Sequence, residues 1–222
     1  DVLFPRLMEV VTEALNAADG KPLWKQSYKT NYRDSFGFDN GPRAVPCVAD
    51  GKIITHGPEG IVQALDFESG KLLWSYDTVA ELDSPQGFFG RVCSPLVTEG
   101  KVLLNVGGKG GAGIIALDVK TGKLVWMVSD DEASYSSPIL MPDNPDMSAF
   151  FTRAGVAIIQ NSNGRLLAED FFRAEIDASV NAGLQTRPSA TSTGTGSNST
   201  EAVGYGTTLV TGYKATPGIS TT

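Results

Sequence analysis

Two residue types are nearly missing from this 222-residue chain, which has one histidine, His56, and two cysteines, Cys47 and Cys93. A single histidine excludes a multi-histidine metal site. At the end of an inner-side strand it reads as a satisfied structural residue rather than a catalytic one. Basic charge is also scarce: 18 Lys and Arg stand against 25 Asp and Glu, for a net charge of -7. Phosphate binding needs clustered cations to displace counterions, so no nucleic-acid partner is expected. An anionic membrane surface is disfavoured for the same reason. No apolar run approaches the roughly 20 residues of a transmembrane helix. Asp1 is preceded by neither a Met nor a basic-then-apolar leader, so the sequence reads as a fragment or a mature form.

What the chain has in quantity is punctuation, 25 Gly and 12 Pro, placed in turn pairs such as Asp50-Gly51, Ser69-Gly70 and Thr121-Gly122. The segment from Ala14 through Gly20 to Trp24 returns as Ala64 through Gly70 to Trp74, and again as Ala116 through Gly122 to Trp126. A weaker copy surrounds Gly164, with Ala168 where Trp falls in the others. A second element repeats in phase: Pro46-Cys47-Val48-Ala49-Asp50-Gly51-Lys52 matches Pro95-Leu96-Val97-Thr98-Glu99-Gly100-Lys101, and Pro138-Ile139-Leu140 opens a third copy. Each unit reads as strand, Asp-Gly-type turn, strand, Gly-rich loop, strand, Ser-Gly-type turn, strand, which is a four-stranded antiparallel meander. The expected fold is therefore all-β: a partial β-propeller of about three and a half blades, approximately residues 1–30 (partial), 44–77, 92–129 and 135–172, whose ring this chain does not close. Gly20, Gly70 and Gly122 supply the positive φ of a tight hairpin. Trp24, Trp74 and Trp126, on the outermost strand, fill the wedge between neighbouring sheets. Residues 183–222 form a separate low-complexity tail, expected to be disordered or out of frame, in which 23 of 40 residues are Thr, Ser or Gly.

The pattern Ala-Leu-Asp-x-x-Thr-Gly-Lys-x-x-Trp resembles the repeat of the pyrroloquinoline quinone (PQQ)-type β-propellers. Longer stretches, Phe36–Pro46, Asn105–Lys109 and Asp130–Pro138, resemble the PQQ-binding-like repeat proteins of environmental bacteria. The similarity covers roughly residues 9–182. It implies an exported, periplasmic bacterial protein and two alternative functions. One is a non-catalytic binding or scaffold propeller without cofactor, which presents its channel mouth to a protein or a small polar ligand. The other is a fragment of a quinone- and Ca²⁺-dependent dehydrogenase. The quinone-binding dehydrogenases carry an adjacent Cys-Cys pair beside the cofactor, and this chain has none, which favours the first.

Local motifs add little catalytic signal. Gly108-Lys109-Gly110-Gly111-Ala112-Gly113 matches a dinucleotide fingerprint. That fingerprint needs a helix to follow, whereas Ile114–Asp118 is expected to be a strand. Cys47 and Cys93 are offset by three residues relative to their Pro landmarks, roughly 10 Å along a strand, too far for a disulfide; two free buried thiols are expected. In a four-stranded blade the inter-blade links and the loops between second and third strands emerge on one face. Arg43, Asp130, Asp131, Glu132, Tyr135, Arg173 and Asn181 fall in the links, and Lys109 and Arg153 in the loops. Together they are the candidate ligand-binding residues of the channel mouth, where Asp130, Asp131 and Glu132 offer a cation site. The plainer reading is a solvated rim of structural salt bridges.

Overall fold

The structure, a computed structural model, describes residues 8–34, 37 and 41–171. Arg173, Asn181 and the tail from residue 183 lie outside the described residues. A hairpin, β1 (Met8–Leu15) and β2 (Pro22–Thr30), precedes three four-stranded antiparallel sheets. The first sheet is β3 (Cys47–Ala49), β4 (Lys52–His56), β5 (Ile61–Asp66) and β6 (Leu72–Asp77). A short helix, α1 (Thr78–Leu82), leads to β7 (Leu96–Thr98), β8 (Lys101–Asn105), β9 (Ile114–Asp118) and β10 (Leu124–Val128). The last sheet is β11 (Ile139–Met141), β12 (Asn144–Phe151), β13 (Gly155–Gln160) and β14 (Leu166–Phe171). Within each sheet the strands lie in sequence order, so every unit is a meander. The architecture is a row of propeller blades, and the half blade at its start is the β1–β2 hairpin.

The middle strands are apolar on both faces because each is sandwiched between neighbouring blades. Val102 and Leu104 of β8 pack with Ile115 and Leu117 of β9 against Ile54, Val62 and Ala64 of the preceding blade. Leu103, Ile114 and Ala116 point the other way, into Phe150, Ala157 and Ile159 of the next blade. Successive strand residues face opposite sides, so β8 and β9 contribute to two cores in alternation, and a one-residue slip would exchange both sets. Type I′ chemistry fixes the first hairpin of two blades: Asp50 and Gly51 have φ of 50° and 67°, and Glu99 and Gly100 have 48° and 72°.

The repeated glycines have a second function that the turn signature does not disclose. The Trp24 indole lies on Gly70, Trp74 on Gly122 and Trp126 on Gly164. Each Nε1–H donates over 3.0 Å to the carbonyl three residues before that glycine, in Phe67, Val119 and Asn161 respectively. A Cβ on Gly122 or Gly164 would stand 2.6 Å from the indole, too close for any side chain. The indole thus fastens each blade to the next, and the hairpin to the first. On its own sheet each Trp stands opposite alanine (Ala14, Ala64, Ala116), and Ala168 holds the same register opposite Ile158.

Gly20 shares the positive φ, 71°, but a Cβ there would meet nothing within 4 Å. Gly20→Ala should therefore cost only the left-handed penalty, about 1 kcal/mol. Gly122→Ala should add the overpacking of a displaced indole, a further 1–3 kcal/mol or so. Denaturant unfolding of the two variants checks this, and equal losses would refute the docking role of the glycine.

Candidate functional site: the link face

The links and the loops between second and third strands do meet on one face, held by backbone bonds. The Arg91 N–H donates to Pro58 O over 3.1 Å, Lys109 N–H to Leu82 O over 2.9 Å, and Arg153 N–H to Glu132 O over 3.0 Å. Helix α1 starts the second link. Its N-cap Asp77 accepts from the Val79 and Ala80 amides, satisfying donors that a helix start leaves open. Asp83, left-handed at φ 51°, ends it after five residues. Thr78 Oγ1 then ties the link to Gly60 O at 2.9 Å.

The charged residues expected at the channel mouth are mostly committed to pairs within a link or between a link and a neighbouring loop. Arg43 donates to buried Asp34 (3.1 Å) and to Phe89 O (2.9 Å), and its guanidinium lies 5.3 Å from the Phe89 ring centroid. Phe89 in turn packs on Tyr135 with centroids 5.6 Å apart, and its N–H donates to the Tyr135 hydroxyl. One line of contacts therefore crosses three links. Lys109 pairs with Asp83, both exposed, a pair of small energetic weight. Arg153 Nε lies 3.1 Å from Glu132 Oε2.

The three link carboxylates take three separate partners. Asp130 Oδ1 accepts from the Gly111 N–H at 2.7 Å, Asp131 Oδ2 from Thr152 Oγ1 at 3.0 Å, and Glu132 takes Arg153. Neighbouring side chains on an extended link point apart, so adjacency in sequence becomes divergence in space. Among the described residues no three His, Cys, Asp or Glu side chains converge on a metal-sized point.

Between the second and third links lies an open recess of about 510 Å³. Glu132, Tyr135 and Arg153 of the expected set line it, whereas Arg43, Lys109, Asp130 and Asp131 do not. Among the lining residues absent from the expected set, Arg91, Asn105 and Ser134 are polar and buried. Two of them left a trace in the sequence. Arg91 is a lone charge in the run Gly90–Pro95, and Asn105 is a polar end to the apolar run Val102–Leu104.

The Arg91 guanidinium donates to Ser84 Oγ (3.1 Å), Ser84 O and Pro58 O (3.4 Å). Burial lowers its pKa, offset in part by the more distant charges of Asp77 and Glu59. His56, at the end of β4, is fully buried, and burial pulls its pKa down to about 4. Its Nδ1 lies 2.9 Å from Cys93 O, so Nδ1 carries the proton of the neutral ring. The expected satisfied ring is met on one nitrogen only, because the buried Nε2 has no hydrogen-bond partner. The fingerprint-like Gly108–Gly113 runs straight into strand β9 and starts no helix.

Both cysteines are free, but only Cys93 is buried; Cys47 is half-buried, contrary to the expectation of two buried thiols. It sits on β3, the short innermost strand, which no further strand covers. Burial pushes the Cys93 thiol up to about 12, and only the thiolate attacks disulfide reagents. A Cys47→Ser chain should stay silent to such a reagent at pH 8 until denatured; prompt reaction of the native variant would contradict the burial of Cys93.

Comparison with known proteins agrees with this architecture. Residues 8–213 match the PQQ-repeat family described as outer membrane protein assembly factor BamB. The chain is 35% identical over 107 residues to quinohemoprotein alcohol dehydrogenase ADH-IIG of Pseudomonas putida, covering 45% of this chain and 14% of the relative. It is 36% identical over 105 residues to 1-butanol dehydrogenase (cytochrome c) of Thauera butanivorans, covering 43% and 14%. The chain thus spans about one seventh of these curated relatives. Among solved structures, BamB from Moraxella catarrhalis superimposes with a TM-score of 0.51 at 16% identity, covering 72% of this chain and 42% of that one. Quinohemoprotein alcohol dehydrogenase from Comamonas testosteroni gives 0.56 at 17%, covering 80% and 34%. At such identities the superpositions speak for the fold, and the repeat, the blades and the match over residues 8–213 together place the chain in the PQQ-type β-propeller repeat family described as outer membrane protein assembly factor BamB.

Proposed function

We propose that this chain is part of a non-catalytic binding propeller, exported to the bacterial periplasm, that presents its link face to a protein partner or a small polar ligand. One observation carries the reading: most charges of that face are spent on pairs within a link or between link and loop, and they frame a shaped recess rather than a reactive constellation. Arg43 holds Asp34, and Arg153 holds Glu132. The sole histidine is buried under the second link, its Nδ1 against Cys93 O. The family's description as an outer membrane assembly factor supports a partner in the cell envelope.

A second reading, a fragment of a quinone-dependent dehydrogenase, is favoured by the identity with the alcohol dehydrogenases. Such an enzyme would need PQQ and Ca²⁺, and the described residues do not fit that pair. Asp130, Asp131 and Glu132 already accept from three separate donors, and no two cysteines are adjacent. Calorimetric titration with PQQ and Ca²⁺ separates the two readings. No saturable heat is expected, and stoichiometric binding would overturn the non-catalytic reading.

A further inference from the structure

The recess between the second and third links contains two polar groups whose needs the protein does not meet. The first is the Asn105 side chain, 2% exposed, whose Oδ1 has no hydrogen-bond partner. Its orientation is fixed, because Nδ2 donates to Phe151 O at 2.9 Å; a flipped amide would set two acceptors against each other. A buried acceptor without a donor costs roughly 1–3 kcal/mol. The second is Arg91, 7% exposed, whose partners are all neutral oxygens, of Ser84 and Pro58. No described carboxylate lies within ion-pair distance of it, and the charges of Asp77 and Glu59 act on it only from farther off. A guanidinium has five N–H donors; three are committed to those oxygens, which leaves two. Buried charges are ordinarily paired. A water molecule could satisfy Asn105 but would bring no negative charge to Arg91.

We propose that this recess binds a small carboxylate bearing a hydroxyl or ammonium donor beside its carboxyl group, the carboxylate held by Arg91 and the donor given to Asn105 Oδ1. The volume, about 510 Å³, is that of a small-molecule site. Glu132 and Arg153, paired at the rim, and Tyr135 give the recess polar walls. The inference rests on the link face being the binding face and names the ligand chemistry of that face.

The test is a titration of the ¹⁵N-labelled 222-residue chain with glycolate and with glycine, with acetate as the ligand that lacks the donor. Saturable shifts of the Asn105 Nδ2 and Arg91 Nε signals are expected with at least one of the first two. Acetate should bind about fivefold more weakly, the equivalent of one hydrogen bond of about 1 kcal/mol. Asn105→Leu should abolish that preference; if this variant does not fold, the shift map of the unmodified chain decides alone. Equal affinity for acetate, shifts that avoid both residues, or no saturable shift from glycolate or glycine would each overturn the proposal. Failure here, with a partner still captured on the link face, removes the ligand assignment alone. Saturable shifts confined to the Gly-turn face count against the link face as well.

Discussion

Replacing Trp74 by alanine should cost about 3–5 kcal/mol, the largest loss expected from any single change in the repeat. The ring is 8% exposed, belongs to the core shared by the first two complete blades, and covers Gly122 of the second. Truncation leaves a cavity between sheets and removes the donor of the Val119 carbonyl. A domain of ordinary stability, about 5–15 kcal/mol, would be left marginal. Trp74→Phe should lose less, about 1–2 kcal/mol, because a ring still fills the wedge while the Nε1–H is gone. The coupling is testable too. In a Trp74→Ala background Gly122→Ala has no indole to displace, so its cost should fall to about the 1 kcal/mol of backbone strain. A loss below about 1 kcal/mol for Trp74→Ala, read from denaturant unfolding, would show that the blades are not fastened this way.

Acidification should destabilise the fold through His56 before most carboxylates titrate. The folded state keeps this ring neutral down to about pH 4, because burial, and secondarily the Arg91 charge, oppose protonation. The unfolded chain takes up the proton near the ordinary histidine value of 6.5. Between those values the unfolded state binds more protons, so stability is fully present above pH 6.5 and falls as pH drops towards 4. At 1.36 kcal/mol per unit the share of this residue is about 3 kcal/mol across the window. His56→Gln, which can still donate to Cys93 O, should lack that share, so the difference between the two stability profiles isolates it. Parallel profiles between pH 7 and pH 4.5 would contradict the buried neutral ring.

The blades were legible because the repeat is written in residues with few alternatives: a positive-φ turn glycine and an outer-strand tryptophan at fixed spacing, seen in Gly70 with Trp74 and Gly122 with Trp126. The glycine's second role was hidden, since its partner indole comes from the preceding blade: Trp24 and Trp74 lie 43 and 45 residues before the carbonyls they dock on, Phe67 and Val119. A similar substitution at a distance occurs in the last blade. Gln160 stands where Asp66 and Asp118 cap their turns, and Asp146 reaches across to take the Ser162 amide and hydroxyl in its place.

The site was legible only as far as membership of the link face. Sequence placed Glu132, Tyr135 and Arg153 there together, but pairing is a three-dimensional property. Arg43 turned to Asp34 and Phe89, Lys109 to Asp83, and the consecutive carboxylates diverged. Arg91 and Asn105 escaped because a buried polar residue at the edge of an apolar run has no periodic signature. Only the tertiary fold reveals that one has no carboxylate within ion-pair distance and the other no donor.

The claim that the link face is the binding face is tested most directly by site-specific photo-crosslinking in the envelope of a bacterium producing the protein. Benzoylphenylalanine would replace Phe88, which is 48% exposed beside the recess, and in a second chain Lys120, exposed in the turn between β9 and β10 on the opposite face. The account predicts a discrete protein adduct from position 88 and none from position 120. An adduct from position 120 alone, or equal adducts from both, would contradict it.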